Sequence, residues 1–207
     1  MKPIFIDFET YSSEDIKSGG AYRYTQSPDF EILLIGYAVG DGAVHIVDMT
    51  NLDAYDRFAD FVNLLLDTQY TIVAHNAQFE RLCLKAYGVD IPADRFLCTA
   101  TMALYAGFPE SLGNLSKALD LKEGKKGTGL ALIKFFCQPQ KPTKTNPEEY
   151  RNYSKDFPDK WEEFIDYLRY DVLSEREALA RLDYCGFPQS EIDLYRLDQD
   201  INDNGIH

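Results

Sequence analysis

Apolar residues first gather at positions 3–9, where Ile4, Phe5, Ile6 and Phe8 form a short run opened by Pro3. Such a run predicts a buried strand, and a proline is tolerated at a strand's first position. Ser18-Gly19-Gly20 then reads as loop punctuation. Residues 30–39 predict a second strand and 43–49 a third, with Asp41-Gly42 between them as a hairpin turn. Strands joined this tightly predict an antiparallel meander.

The period changes near residue 52. Phe58, Phe61, Val62, Leu65 and Leu66 recur at helical spacing across 52–66, and Asp53 is placed to cap that helix. Thr71-Ile72-Val73-Ala74 predicts a fourth strand, 77–87 a helix ended by Gly88, and 95–98 a short fifth strand. From Thr99 onward the pattern is helical, interrupted by loops such as the polar stretch 141–147. A long helix is expected over 160–184, ended by Gly186 and Pro188, and another over 190–203, stopped by Asn204-Gly205. Three antiparallel strands, then helix, strand, helix and strand, is the order of a ribonuclease-H-like α/β domain. The expected architecture is a mixed five-stranded sheet flanked by helices, although order alone also fits other α/β folds.

Composition narrows the classes. With 45% hydrophobic and 14% aromatic residues in 207, the chain has material for a packed core, which argues against disorder. No apolar run reaches the length of a bilayer span, so no membrane partner is expected. The four cysteines lie far apart and only three histidines accompany them, which argues against a zinc cage and for reduced core thiols in a cytosolic protein. A net charge of −13 argues against a protein whose main task is gripping a nucleic-acid backbone. It leaves room for a catalytic module whose clustered carboxylates hold cations, and whose cations meet phosphate.

Asp7 and Glu9 lie two apart on the first strand, and so share a face. Acid-x-acid also occurs at Asp29/Glu31, Glu175/Glu177, Glu191/Asp193 and Asp198/Asp200, where solvated faces are expected. Only Asp7/Glu9 is embedded in a hydrophobic strand, where a charge needs a partner or a metal. Glu80 falls in the first turn of its helix, where any acid complements the dipole. Asn76 is an ordinary N-cap candidate, and His75 reads as a packed, hydrogen-bonded histidine. Tyr167 and Asp171 lie four apart, on one stripe with Phe164, Leu168 and Val172, while Arg169 points elsewhere. Asp171 on such a stripe wants either a metal or a structural salt bridge.

Taken together, Ile-Asp-Phe-Glu-Thr (6–10), Asn-Ala-Gln-Phe-Glu (76–80) and Tyr-x-x-x-Asp (167–171) resemble the three exonuclease motifs of the four-carboxylate DEDD superfamily, in its tyrosine-bearing branch. Phe-Ile-Asp-Phe-Glu-Thr-Tyr-Ser with Gly-Gly-Ala-Tyr-Arg-Tyr is similar to the N-terminal 3′–5′ exonuclease domain of phage-type family A DNA polymerases. The resemblance implies that Asp7, Glu9 and Asp171 hold two divalent cations, Mg²⁺ or Mn²⁺. It implies further that Glu80 organises the site, that Tyr167 orients the attacking water, and that Thr10 and Asn76 touch the 3′-terminal nucleotide. The superfamily usually has Asp where this chain has Glu80.

Two-metal phosphodiester hydrolysis explains such an assembly: cations roughly 3.5–4 Å apart activate the water and stabilise the departing 3′-oxygen. Basic residues within 117–126, and Lys141 with Lys144, are candidates to meet the strand, or are simply solvated loop charges. Residues 195–206 resemble the junction where the polymerase portion of phage-type enzymes begins. The expected organisation is an exonuclease domain over 1–187 and a helical linker over 188–207, leading toward a C-terminal polymerase domain of the same gene product. The expected substrate is a single-stranded DNA 3′ end, in the cytoplasm of a phage-bearing host. An exoribonuclease of the same superfamily and an inactive nuclease-fold scaffold are the alternatives. No polymerase motif is present, so no synthesis is expected of these residues.

Overall fold

The first apolar run forms β1 (Lys2–Tyr11), and the reason it lies at the centre of the sheet is that both its faces are apolar. The computed structural model describes residues 2–122, 129–144, 147–148 and 150–205. After β1 come α1 (Ile16–Thr25), β2 (Glu31–Val39), β3 (His45–Asp48), α2 (Ala54–Leu66), β4 (Tyr70–Ala74), α3 (Ala77–Ala86) and β5 (Phe96–Cys98). Helices α4 (Thr99–Tyr105), α5 (Leu112–Ala118), α6 (Gly129–Phe136), α7 (Pro158–Leu182) and α8 (Gln189–Asn204) complete the described chain. The strands form one mixed sheet in the order β3-β2-β1-β4-β5. β1 pairs antiparallel with β2 and parallel with β4, and β5 is parallel to β4. This is the mixed five-stranded architecture expected from the sequence.

Alternation along β1 divides the core in two. Ile4, Ile6 and Phe8 pack with Phe61 and Leu65 of α2 and Cys83 and Leu84 of α3. Phe5 faces the other way, onto Val172 of α7. Asp7 and Glu9 share Phe5's parity, so they point to the α7 side. Asp7 stands opposite Gly36 of β2. A Cβ at Gly36 would lie 2.9 Å from both Leu168 Cγ and Val172 Cγ2, so the missing side chain is what lets α7 press against the sheet beside Asp7.

Several boundaries differ from expectation. Helix α1 occupies the stretch read as loop, although its backbone breaks at Gly20 (φ 73°, ψ 170°) as the glycine pair suggested. The turn after β2 is longer than two residues, because Arg176 draws the Gly42 carbonyl (2.8 Å) and Arg169 the Val44 carbonyl (3.0 Å) toward α7. Asp53 and Asn76 sit at N-cap positions without making the side-chain capping bond. Asn76 adopts a left-handed φ of 76°, which turns its side chain away from the first-turn amides; its carbonyl accepts from Phe79 N–H at 2.8 Å instead. The long helix starts two residues early because Pro158, preorganised for a first helical position, sits there. The expected basic residues Lys125 and Lys126, and Thr145 and Asn146 of the polar loop, lie outside the described residues.

Candidate active site

Parallel pairing of β1, β4 and β5 places their C-terminal ends at one edge of the sheet, and the chemistry-bearing side chains gather there. Asp7 and Glu9 come from the end of β1, where the register with β2 shifts between Glu9 and Thr10. Such a bulge re-aims the side chains around it. Asp171 comes from α7, one turn after Tyr167. One carboxylate oxygen from each of Asp7, Glu9 and Asp171 lies within 4.8 Å of the others. Glu9 and Asp171 are buried and Asp7 is half-buried. An all-oxygen donor set of this kind suits hard divalent ions.

Glu80, in the first turn of α3, is buried, and its Oε2 has no hydrogen-bond partner among the described residues. Burial, then the Asp7 charge, pushes its carboxyl well above the usual carboxylate range. Tyr167 is buried as well. Burial raises its phenol, Asp171 and Glu9 add to that, and its hydroxyl hydrogen-bonds to Asp171. It is therefore a neutral donor rather than a base. Cys137, at the end of α6, brings its Sγ to 3.8 Å from Glu9 Oε2. Its thiol is pushed up by burial and by Glu9, so it stays protonated and donates weakly.

Thr10 and Asn76 are set apart. The Thr10 hydroxyl meets Tyr24 Oη at 2.9 Å and faces a cleft of about 580 Å³ lined also by Glu9, Phe79, Ile133 and Lys141. Asn76 is exposed and lines a different cleft of about 460 Å³ with Gln78 and Thr101. His75 is engaged at both ring nitrogens, by Thr99 Oγ1 at 2.9 Å and the Glu110 carbonyl at 2.6 Å. Arg169 turns to Val44 and Asp166, away from Asp171.

Two residues of the site escaped the sequence reading. Glu175 was grouped with Glu177 as a solvated pair; the structure corrects this, since Glu175 is 1% exposed. The signal was its spacing: Tyr167, Asp171 and Glu175 follow at i, i+4 and i+8 on one face. Gly129 opens α6 directly under Tyr167. A Cβ there would lie 2.0 Å from Tyr167 Cε2, so the ring keeps its place only because residue 129 has no side chain. No local pattern announces such a contact.

Comparison with known proteins agrees with this fold. No protein-family model matches the chain. Among solved structures, NrnC of Brucella melitensis superposes with a TM-score of 0.56 at 16% identity, covering 96% of this chain and 80% of that one. A nuclease in its apo form gives the same TM-score and coverage at 14% identity. RNase D of Escherichia coli, an exoribonuclease involved in structured RNA processing, gives 0.53 at 15% identity, covering 95% of this chain and 44% of that one. At such identities the likeness establishes the fold, which is that of the ribonuclease-H-like nucleases. In sequence, the chain is 40% identical across all 207 residues to the DNA polymerase of Bacillus phage SP02, and it spans 32% of that protein's length. It is thus homologous to about one third of a phage DNA polymerase. Among the described residues no helix is long and apolar enough to cross a membrane.

Proposed function

We propose that this chain is a two-metal-dependent 3′–5′ exonuclease, the proofreading module of a DNA polymerase, acting on single-stranded DNA 3′ ends. The observation that carries the reading is the convergence of Asp7, Glu9 and Asp171, from β1 and α7, on a volume where their oxygens lie within 4.8 Å of one another. Asp7, Glu9 and Asp171 would hold two cations, Mg²⁺ or Mn²⁺, with Glu80 behind them. Such cations supply a nucleophilic water near neutral pH and charge relief at the leaving 3′-oxygen. Tyr167, a neutral donor fixed beside Asp171, orients the attacking water. The cleft past Glu9 and Thr10 receives the terminal nucleotide, with Lys141 at its rim for phosphate. Asn76 contacts that nucleotide only if the strand reaches the second cleft. Residues 188–207 lead on toward a polymerase portion, and the setting is the cytoplasm of a phage host.

A second substrate, RNA, is favoured by the likeness to RNase D; the 40% identity to a DNA polymerase, against 15% there, favours DNA. Digestion of matched 5′-labelled DNA and RNA single strands with Mg²⁺ or Mn²⁺, beside EDTA and Asp7→Ala controls, tests both. A DNA ladder shortening from the 3′ end, absent from both controls, is expected. Preferential RNA shortening would transfer the reading to an exoribonuclease, and no shortening of either strand would leave a scaffold.

A further inference from the structure

Glu175 is the most deeply buried acid at the site, and neither of its carboxylate oxygens has a hydrogen-bond partner among the described residues. A carboxyl buried in this way is unfavourable unless something compensates it. The described surroundings do not: the ionisable groups that act on it most strongly are Asp7 from β1, Glu80 from α3, Cys98 from β5 and Asp171 from its own helix, all of them acids. Glu80 shares the predicament through its unpartnered Oε2. Both acids lie within electrostatic reach of Asp7, and Glu175 also of Asp171; Asp7 and Asp171, with Glu9, make the oxygen cluster. A cation in that cluster is the compensation the polypeptide itself lacks.

We propose that Glu175 is a fifth acid of the cation cradle, standing with Glu80 on its buried side and strengthening the hold on the divalent ions that Asp7, Glu9 and Asp171 face. The assignment rests on the nuclease reading, but it concerns cation binding and is tested without DNA. Replacing a merely structural acid would lower the stability of the metal-free protein and leave cation affinity alone. Replacing a cradle acid lowers cation affinity and leaves the metal-free stability equal or higher.

The test is titration of the full chain with Mn²⁺, free ion being counted by electron paramagnetic resonance, for the wild type, Glu175→Gln, Glu175→Met and the exposed same-helix control Glu163→Gln. The expected result is a loss of Mn²⁺ affinity of about ten- to a hundredfold in both Glu175 variants. Their metal-free melting temperatures should equal or exceed that of the wild type, and Glu163→Gln should bind as the wild type does. Glu175→Met covers the case in which an unpaired buried amide prevents folding. Affinity within about twofold of wild type in either folded Glu175 variant would overturn the proposal, as would an equal loss in Glu163→Gln. DNA shortening by the wild type is followed in parallel. Glu175-dependent Mn²⁺ binding without shortening sinks the nuclease reading alone; shortening with Glu175-independent binding sinks the cradle assignment alone; no Mn²⁺ binding sinks both.

Discussion

Glu80 and Arg81 are adjacent on α3 and equally buried, yet they stand in opposite surroundings. Arg81 reaches α8, where Asp203 accepts from Nη1 at 2.7 Å and from Nη2 at 2.9 Å, and Gln199 accepts from Nη2 at 3.2 Å. Tyr22 of α1 donates to the same Asp203, so one fork of charge ties three helices together. Glu80, about a third of a helical turn away, meets Asp7, Glu9 and a thiol. The pKa directions record the contrast. The hydrogen bond from Arg81 pulls Asp203 below its usual range. Burial is the largest single influence on Arg81 and lowers its pKa, but the hydrogen bonds and charges of Asp203 and Tyr22 together raise it further than burial lowers it. Glu80 and Glu175 are driven up. Where buried charge serves the fold, it is paired with its opposite. Where acids are gathered beside the cleft, burial and their neighbours' charge both push the carboxyls up instead.

Isosteric exchange of one acid in each region should break the comparison most visibly. Asp171→Asn should slow DNA shortening by more than about a thousandfold, since it removes a cation oxygen that serves the transition state. It should leave the metal-free melting temperature unchanged or higher, because a like charge is gone. Asp203→Asn should do the opposite. It strands the Arg81 charge at a cost of about 2 kcal/mol, below the roughly 3–5 of a fully buried pair because water reaches one side of Asp203. That corresponds to a loss of about 4–8 °C in melting temperature. The rate per folded molecule should stay within about twofold of wild type. Calorimetry and single-stranded digestion on both variants decide it; an Asp203→Asn enzyme as slow as Asp171→Asn would mean that the anchor is part of the site.

The two regions were unequally legible in the sequence. β1 and its two acids stood out because an unbroken apolar run leaves little choice of element, and Tyr167 and Asp171 because four-residue spacing on a strongly patterned helix fixes a shared face. The anchor was invisible: Arg81, Tyr22 and Asp203 are polar residues on three elements, and nothing local pairs them. Helix α1, which carries Tyr22, was missed for a related reason, since its residues show no apolar stripe and Gly19-Gly20 reads as a break. Glu175 was hidden by grouping it with Glu177, although residues two apart on a helix face different ways; Glu177 pairs with Arg181 at 3.6 Å while Glu175 is buried. Steric requirements between distant elements, such as Gly36 under α7, have no sequence signature at all.

Gly129 gives a subtler break, one that perturbs the acidic side without touching a carboxylate. Gly129→Ala puts a methyl where the Tyr167 ring now lies, so α6 or the ring must move. Overpacking of this kind costs about 1–3 kcal/mol. Displacing the hydroxyl by about 1 Å should lower the rate by about a hundredfold. Tyr167→Phe provides the reference, since it removes the hydroxyl and keeps the ring. Equal rates for the two variants, with the melting temperature lowered only in Gly129→Ala, are expected. Wild-type digestion by Gly129→Ala would show that the ring's placement is not needed.

The smallest effect is on the pH dependence of stability, where the two regions pull in opposite directions. Glu80 and Glu175 titrate higher folded than unfolded. Their contribution is fully present below the ordinary carboxylate value of about 4.3, and is lost as pH rises through the raised values. Asp203 titrates lower folded than unfolded, so its contribution is present above about 3.9 and is lost as pH falls through the depressed value. In EDTA the melting temperature should therefore pass through a maximum in mildly acid solution, with changes of about a few degrees on either side. Glu80→Gln should flatten the neutral limb and Asp203→Asn the acid limb. Saturating Mg²⁺ or Mn²⁺ should remove the neutral limb alone, since cations at the acidic cluster relieve the repulsion there and leave Asp203 to Arg81. A neutral limb that survives saturating cation and Glu80→Gln alike would place its origin outside the site.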